Sequence, residues 1–268
     1  MIVKTQGIAV RIRPWSKTSH MVTWLTPDYG RVTTSIKGAC RVKSAFLGQY
    51  DLGYTCELLF YRRDHDGVHA IRECAPLNMR EDLRHHWRSL AAANYFCELL
   101  ACASWPNQQD SDQLFDLLEE ILDNLCLKQP DVTFVCAQEI ALLNKLGLMP
   151  NMEHCHICNQ NAMEWHRYSI TAGHFLCEHA KPQTGNDLVV TLHRQATMAL
   201  ANLSDISKGV KTATDILRQV SANVNLALGI RRFIGIFMFY HLDISPAGRR
   251  TLFDLLAATP AQWKAKTL

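Results

Sequence analysis

The sequence predicts an α+β, multidomain protein: a small five-stranded barrel followed by an all-α domain that a short cysteine- and histidine-rich insertion interrupts. Three observations carry this. Five short runs with strand patterning, separated by turn signals, lie between residues 7 and 73. After Pro76 the apolar spacing becomes helical. Residues 151–182 then break the helical pattern and concentrate Cys and His.

The strands come first. Residues 7–13 alternate, with Ile8, Val10 and Ile12 on one face, and 21–26, 32–37, 55–61 and 69–73 follow. Between them stand Pro27-Asp28-Tyr29-Gly30, Leu52-Gly53 and Asp64-His65-Asp66-Gly67, residues that favour turns. The five-stranded barrel that commonly binds oligonucleotides is the OB-fold, and SH3-like barrels share the strand count. The first domain is therefore read as an OB-fold barrel over residues 1–78.

The helices occupy 79–268. Residues 81–103 place Leu83, Trp87, Leu90, Asn94 and Cys97 on one side. Residues 110–127 open on Asp110 and Ser111, good N-caps, and line up Leu114, Leu117, Leu118, Ile121, Leu122 and Leu125. Their opposite side carries Asp112, Asp116, Glu119, Glu120 and Asp123, read as a solvated face. Pro130 opens a helix that should end near Gly147, with Pro150 beyond it. Further helices are expected at 193–202, 208–218, 220–241 and 246–258, and the insertion at 151–182.

Composition bounds the function. The chain has 268 residues, 48% hydrophobic and 20% charged, the balance of a folded globular protein. No run of 18 apolar residues and no secretory pattern at the start suggest a cytoplasmic protein without a membrane partner. Among ten cysteines, Cys97, Cys102, Cys126 and Cys136 sit in apolar helix-like stretches, and only Cys155 and Cys158 form C-x-x-C. Reduced thiols plus one metal site fit this distribution better than a disulfide framework. Charge is uneven: residues 1–80 hold 12 Lys/Arg against 6 Asp/Glu, a net +6, and the remainder is −3. A basic first domain points to a polyanion.

Arg11, Arg13, Arg31, Lys37, Arg41 and Lys43 fall at strand ends or turns of the barrel, where cations can neutralise phosphates; the alternative is a solubilising surface. Single strands also require aromatic platforms. Trp15, between Pro14 and Ser16 in an expected loop, is the stacking candidate, Tyr29 lies nearby, and Trp24 is read as core. Cys155-His156-Ile157-Cys158 sets two thiolates on one turn, and Cys177 follows at finger-like distance, a pattern suited to structural zinc. No P-loop, G-x-G-x-x-G, G-x-S-x-G or H-E-x-x-H is present. His85-His86 and the Asp64-His65-Asp66 triplet read as helix surface and turn rather than as a metal nuclease site, so the chain is read as non-enzymatic.

Three stretches carry a family resemblance. The opening block GIAVRIRPWSKTSHMVTWLTPDYGRVTTSIKGACRVKS holds Leu25-Thr26, Gly30, Lys37-Gly38-Ala39, Arg41 and Ser44. LLNKLGLMPNMEHCHIC joins a leucine-rich helix to a Gly, a Pro and a cysteine pair, and RRFIGIFMFYHLDISPAGRRTLFDLL supplies a long closing helix and a short one. Together these resemble the bacterial RecO family of DNA repair and recombination proteins. The resemblance implies an OB-fold and a helical domain with no active site. It further implies binding of single- and double-stranded DNA, strand annealing, action with RecR, and help in loading RecA onto DNA coated with single-strand-binding protein, in the cytoplasm at the nucleoid. Under it, DNA contact is favoured for Lys37, Arg41 and Lys43. Many relatives carry a second C-x-x-C where this chain has Cys177-Glu178-His179-Ala180, so His179 is inferred as the fourth zinc ligand; His154, His156, His166 and His174 stay as alternatives. Two departures stand out. Cys40 and Val42 replace residues that are often basic or proline, and Ala141 lies where some relatives place an arginine associated with the tail of single-strand-binding protein. The competing reading is a zinc-knuckle protein-interaction adaptor with no DNA affinity of its own.

Overall fold

A computed structural model describes residues 1–63, 67–102, 111–149, 155, 157–159, 167–177, 187–204, 215, 216, 218, 223–242 and 246–257. The chain divides into two compact units, Met1–Pro130 and Asp131–Leu268.

In the first unit, β1 (Ile2–Ser16), β2 (Ser19–Thr26), β3 (Gly30–Ile36), β4 (Thr55–Tyr61) and β5 (Val68–Asn78) close a barrel in the order β1-β2-β3-β5-β4. This is the five-stranded OB-type barrel that the sequence predicts. β1 is much longer than its alternating core of residues 7–13 suggests, because it serves two neighbours. Its first half pairs with β4 (Ile2↔Tyr61 to Ile8↔Thr55) and its second half with β2 (Ile8↔Leu25 to Ser16↔Ser19). A register shift between Ala9 and Arg11 lets it bend from one to the other. β5 likewise runs on through Pro76 to Asn78 and closes the barrel by parallel pairing with β3. Inside lie Trp24, Ile36, Leu58 and Phe60, all essentially without solvent exposure. Trp24 is core, as the sequence suggested, and its indole N–H donates to Thr34 Oγ1 at 2.8 Å, so its one polar atom is satisfied. Gly7 is required by packing: a Cβ there would meet Leu58 Cδ1 at 2.6 Å.

The expected helix over 81–103 is instead a 3-10 turn, Glu81–His85, followed by α1 (Trp87–Cys102), the break falling at the extended His86. α2 (Ser111–Leu127) buries the leucine stripe together with Phe115. Its acidic side is not wholly a solvated face. Arg80, buried and in the left-handed region at φ 46°, donates from Nε to Asp123 Oδ1 at 2.6 Å and pairs with Glu119 at 3.4 Å. The same guanidinium donates to Gly53 O and Thr55 Oγ1, tying α2 to the barrel.

In the second unit, α3 (Val132–Lys145) is capped by Asp131, whose carboxylate accepts from the Phe134 N–H at 2.7 Å. Then come β6 (Arg167–Ser169), β7 (His174–Leu176) and β8 (Val189–Thr191), an antiparallel sheet in the order β7-β6-β8 that the all-α expectation omitted. α4 (Arg194–Ser204), α5 (Val224–Leu242) and α6 (Pro246–Ala257) follow. The helix expected over 208–218 lies mostly outside the described residues. Tyr168 packs edge-on against Phe175 and Phe233, with ring centroids 4.8 and 5.0 Å away, so the small sheet shares a core with α5. Among the described residues no helix is long and apolar enough to cross a membrane.

Candidate nucleic-acid interface and metal centre

Register places the barrel's outer residues in rows. Arg13 lies opposite Met21 and Met21 opposite Ser35; Arg11 lies opposite Thr23 and Thr23 opposite Thr33. Side chains alternate across a strand, so Arg11, Arg13, Thr23, Thr33, Ser35 and Lys37 share the outward face. Cations flanked by hydroxyls are the groups that contact phosphates. Arg13, Lys37, Arg41 and Lys43 are exposed. Trp15 is not in a loop: it ends β1 at the irregularity between Pro14 and Ser16, which leaves it 68% exposed. Lys17, in the hairpin beyond it, is also exposed and was not singled out from sequence; a lone Lys in a turn carries no pattern.

The β3–β4 connection bearing Lys37, Arg41 and Lys43 is a chain of tight turns, with Arg41 N–H donating to Gly38 O, Ser44 N–H to Arg41 O and Leu47 N–H to Ser44 O. Gly38 takes φ +70°, a value that favours glycine. Buried Ala39 and partly buried Phe46 and Tyr50 pack against the barrel core and fix the connection, while its cations stay in solvent. Arg11 and Arg31 have internal partners. Arg11 Nη2 donates to Cys102 Sγ at 2.7 Å and Arg31 Nη1 to Ala101 O at 2.8 Å, both at the C-terminal end of α1, where the helix dipole favours cations.

A second cationic rim escaped the sequence reading. Arg62 and Arg63 follow β4, and the Arg62 guanidinium lies 5.1 Å above the Tyr29 ring. Tyr29 packs edge-on against Phe60, so it serves the core more than a stacking platform. Burial, then the Arg62 and Arg63 charges, hold the His69 imidazole below its ordinary pKa, as expected in a positive field. Asp64, His65 and Asp66 lie outside the described residues.

In the second unit, the sulfurs of Cys155, Cys158 and Cys177 lie within 4.8 Å of one another, Cys158 and Cys177 at 3.5 Å. Tetrahedral zinc with bonds of about 2.3 Å sets its sulfurs about 3.8 Å apart, so the three thiols fit that ion. The Ile157 N–H points at Cys155 Sγ, and Asn159, at φ 54°, completes the knuckle turn. Burial raises the Cys155 thiol, but the backbone N–H groups of Cys177, Cys158 and Ile157 outweigh it and bring the pKa down to about 7, favouring the thiolate a metal requires. His174 is not in the cluster; its Nδ1 faces Ala172 O at 3.1 Å. His154, His156, His166 and His179 lie outside the described residues.

A closed OB barrel with an exposed cationic face, and a second unit holding three thiols that could take a metal ion, together define an OB-fold protein with a cysteine knuckle. Across both units the chain belongs to the RecO family of DNA repair proteins: the model Recombination protein O N terminal matches residues 1–80, and Recombination protein O C terminal matches 84–250. It is 26% identical over 245 residues to the DNA repair protein RecO of Alkaliphilus metalliredigens, covering 91% of this chain and 95% of the relative. To that of Rhodopirellula baltica it is 27% identical, covering 74% and 73%. To that of Chloroherpeton thalassium it is 23% identical, covering 96% and 99%.

Proposed function

We propose that this protein is a non-enzymatic recombination mediator of DNA repair, working in the cytoplasm at the nucleoid. The observation that carries the proposal is the pinned, solvent-exposed cation set on the β3–β4 connection of an OB barrel in a RecO-family chain. In this reading residues 1–78 bind single- and double-stranded DNA and bring complementary strands together. Arg13, Lys37, Arg41 and Lys43 neutralise phosphates, and Trp15 stacks on bases. Arg11 and Arg31 form the inner margin, their charge also holding the end of α1. Residues 79–268, with the 151–182 insertion, form the partner-facing domain. It works with RecR and with single-strand-binding protein on the coated strand, and so aids RecA loading. Zinc held by Cys155, Cys158, Cys177 and His179 would be structural, leaving no open coordination position.

The test is a salt series with a fluorescent single-stranded oligonucleotide. Wild type should bind tightly at low salt and lose affinity steeply as salt rises. Changing Lys37, Arg41 and Lys43 together to Ala should weaken binding to all sequences alike and lower the slope of log affinity against log salt by about 2, the sum for three single-strand phosphate contacts. An unchanged slope removes this rim from the interface.

A further inference from the structure

At the barrel rim three side chains from separate elements form a line: Cys40 Sγ lies 3.2 Å from His20 Nε2, and His20 Nδ1 lies 2.7 Å from Tyr50 OH. The arrangement is a thiol, a base within hydrogen-bond reach and a third group orienting the base, the geometry that activates a nucleophile. Cys40 is exposed, so an electrophile can reach it. Its backbone is pinned, the Cys40 N–H donating to Thr18 O at 3.2 Å and the Gly38 N–H to Ser19 Oγ at 3.4 Å. Tyr50 also stands edge-on to both His20 and Trp24, which fixes the ring that positions the imidazole. Burial, then the Cys40 charge, push the Tyr50 phenol up to about 12, so it remains a neutral partner and can accept from His20 Nδ1–H, leaving Nε2 free to take a proton.

The surroundings select the electrophile. Lys37, Arg41 and Lys43 are exposed on the same short connection as Cys40. Exposed cations around an accessible thiol attract anions. We propose that Cys40 is a thiol–disulfide exchange site with His20 as its base, taking anionic low-molecular-weight disulfides. His20 Nε2 accepts the Cys40 proton as the sulfur attacks one sulfur of the disulfide. A new S–S bond forms, the old one breaks, and the leaving thiolate recovers the proton from the imidazolium. Cys40 is oxidised to a mixed disulfide, and the departing half of the reagent is reduced to a thiol. Resting on the DNA-binding reading above, the adduct places a bulky anion among the rim cations and so switches off that surface until a thiol reductant removes it.

The experiment treats the full-length, metal-replete protein with oxidised glutathione and follows each cysteine by mass spectrometry, with exposed Cys102 as the reference thiol in the same molecule. The expected result is modification of Cys40 at least about tenfold faster than Cys102, the scale of a positioned general base. His20→Gln and Tyr50→Phe should lower that ratio while leaving Cys102 unchanged. Equal rates at Cys40 and Cys102, or a ratio untouched in both variants, overturn the proposal. Oligonucleotide affinity is then read before and after modification, with Cys40→Ser as the control that cannot carry the adduct. A fall of about tenfold or more, reversed by dithiothreitol, supports the switch. Fast modification of Cys40 with DNA affinity unchanged leaves the exchange site standing and removes DNA from this rim.

Discussion

Arg80 in the first unit and Arg249 in the second are both nearly withdrawn from water, their side chains 1% and 12% exposed, yet their partners differ. Arg80 shares Glu119 and Asp123, carboxylates that are 36% and 50% exposed and also face solvent. Arg249 makes a two-point pair with Glu139, Nε to Oε1 and Nη2 to Oε2 both at 2.7 Å, and Glu139 has no exposure at all. Gly235 leaves room for it: a Cβ there would lie 2.6 Å from Arg249 Nη1. The guanidinium also stands 4.5 Å from the Phe253 ring centroid. The lesson is that a buried cation is as critical as its anion is inaccessible. Carboxylates that touch water can rehydrate when their partner is lost, whereas Glu139 cannot.

The two units also differ in how their sheets are held. The first unit closes its barrel with strands of up to 15 residues, whereas β6, β7 and β8 have three residues each and need a staple. Structural zinc contributes on the order of 10 kcal/mol to such knuckles. If the proposed zinc is bound, chelation or Cys177→Ser should remove it and expose the amides of 167–177 to hydrogen exchange, leaving the barrel strands protected. Protein purified without chelator and lacking zinc would break this account.

Arg249→Met comes next, with an expected loss of about 3–5 kcal/mol in the second unit, since it strands a buried carboxylate. The double change with Glu139→Leu should recover much of that loss, as read from exchange protection in α3 and α5. Arg80→Met should cost less, about 2 kcal/mol, for lost charge-assisted hydrogen bonds, and should loosen α2 from the barrel. Equal losses for the two single variants would show that partner exposure is not what separates the units. Trp15→Ala should leave stability within about 0.5 kcal/mol, because the ring is exposed, yet weaken single-strand binding by about 1–3 kcal/mol.

The smallest effect is on pH dependence. Burial, opposed by a backbone hydrogen bond at Ile170, holds the His241 imidazole below its ordinary 6.5. The unfolded chain then binds the proton more readily, so stability of the second unit should fall as pH drops below about 6.5. His241→Leu should flatten that dependence.

Much of this was legible in the sequence because it is encoded at short range. The strand candidate at residues 55–61, set between turn signals, matches β4 to the residue, the leucine stripe predicts α2, and C-x-x-C predicts two corners of the thiol cluster. Trp24 reads as core because large aromatics fill small barrels, and it is fully buried. What tertiary structure alone decided depends on closure between distant residues. β1 is twice the length its alternation suggests because the barrel gives it a second partner in β4. Glu119 and Asp123 look like any solvated helix face until Arg80, some forty residues earlier in the chain, is folded beneath them. The sheet of β6–β8 has strands too short to show a period, so only pairing across the cysteine-rich stretch creates it. Nothing in the sequence pairs Cys40 with His20, and the line they form with Tyr50 exists only because the β3–β4 connection folds back onto the β1–β2 hairpin. A local pattern reports which face of an element is apolar; which charges, thiols and bases meet is set by the long-range pairings that bury those faces.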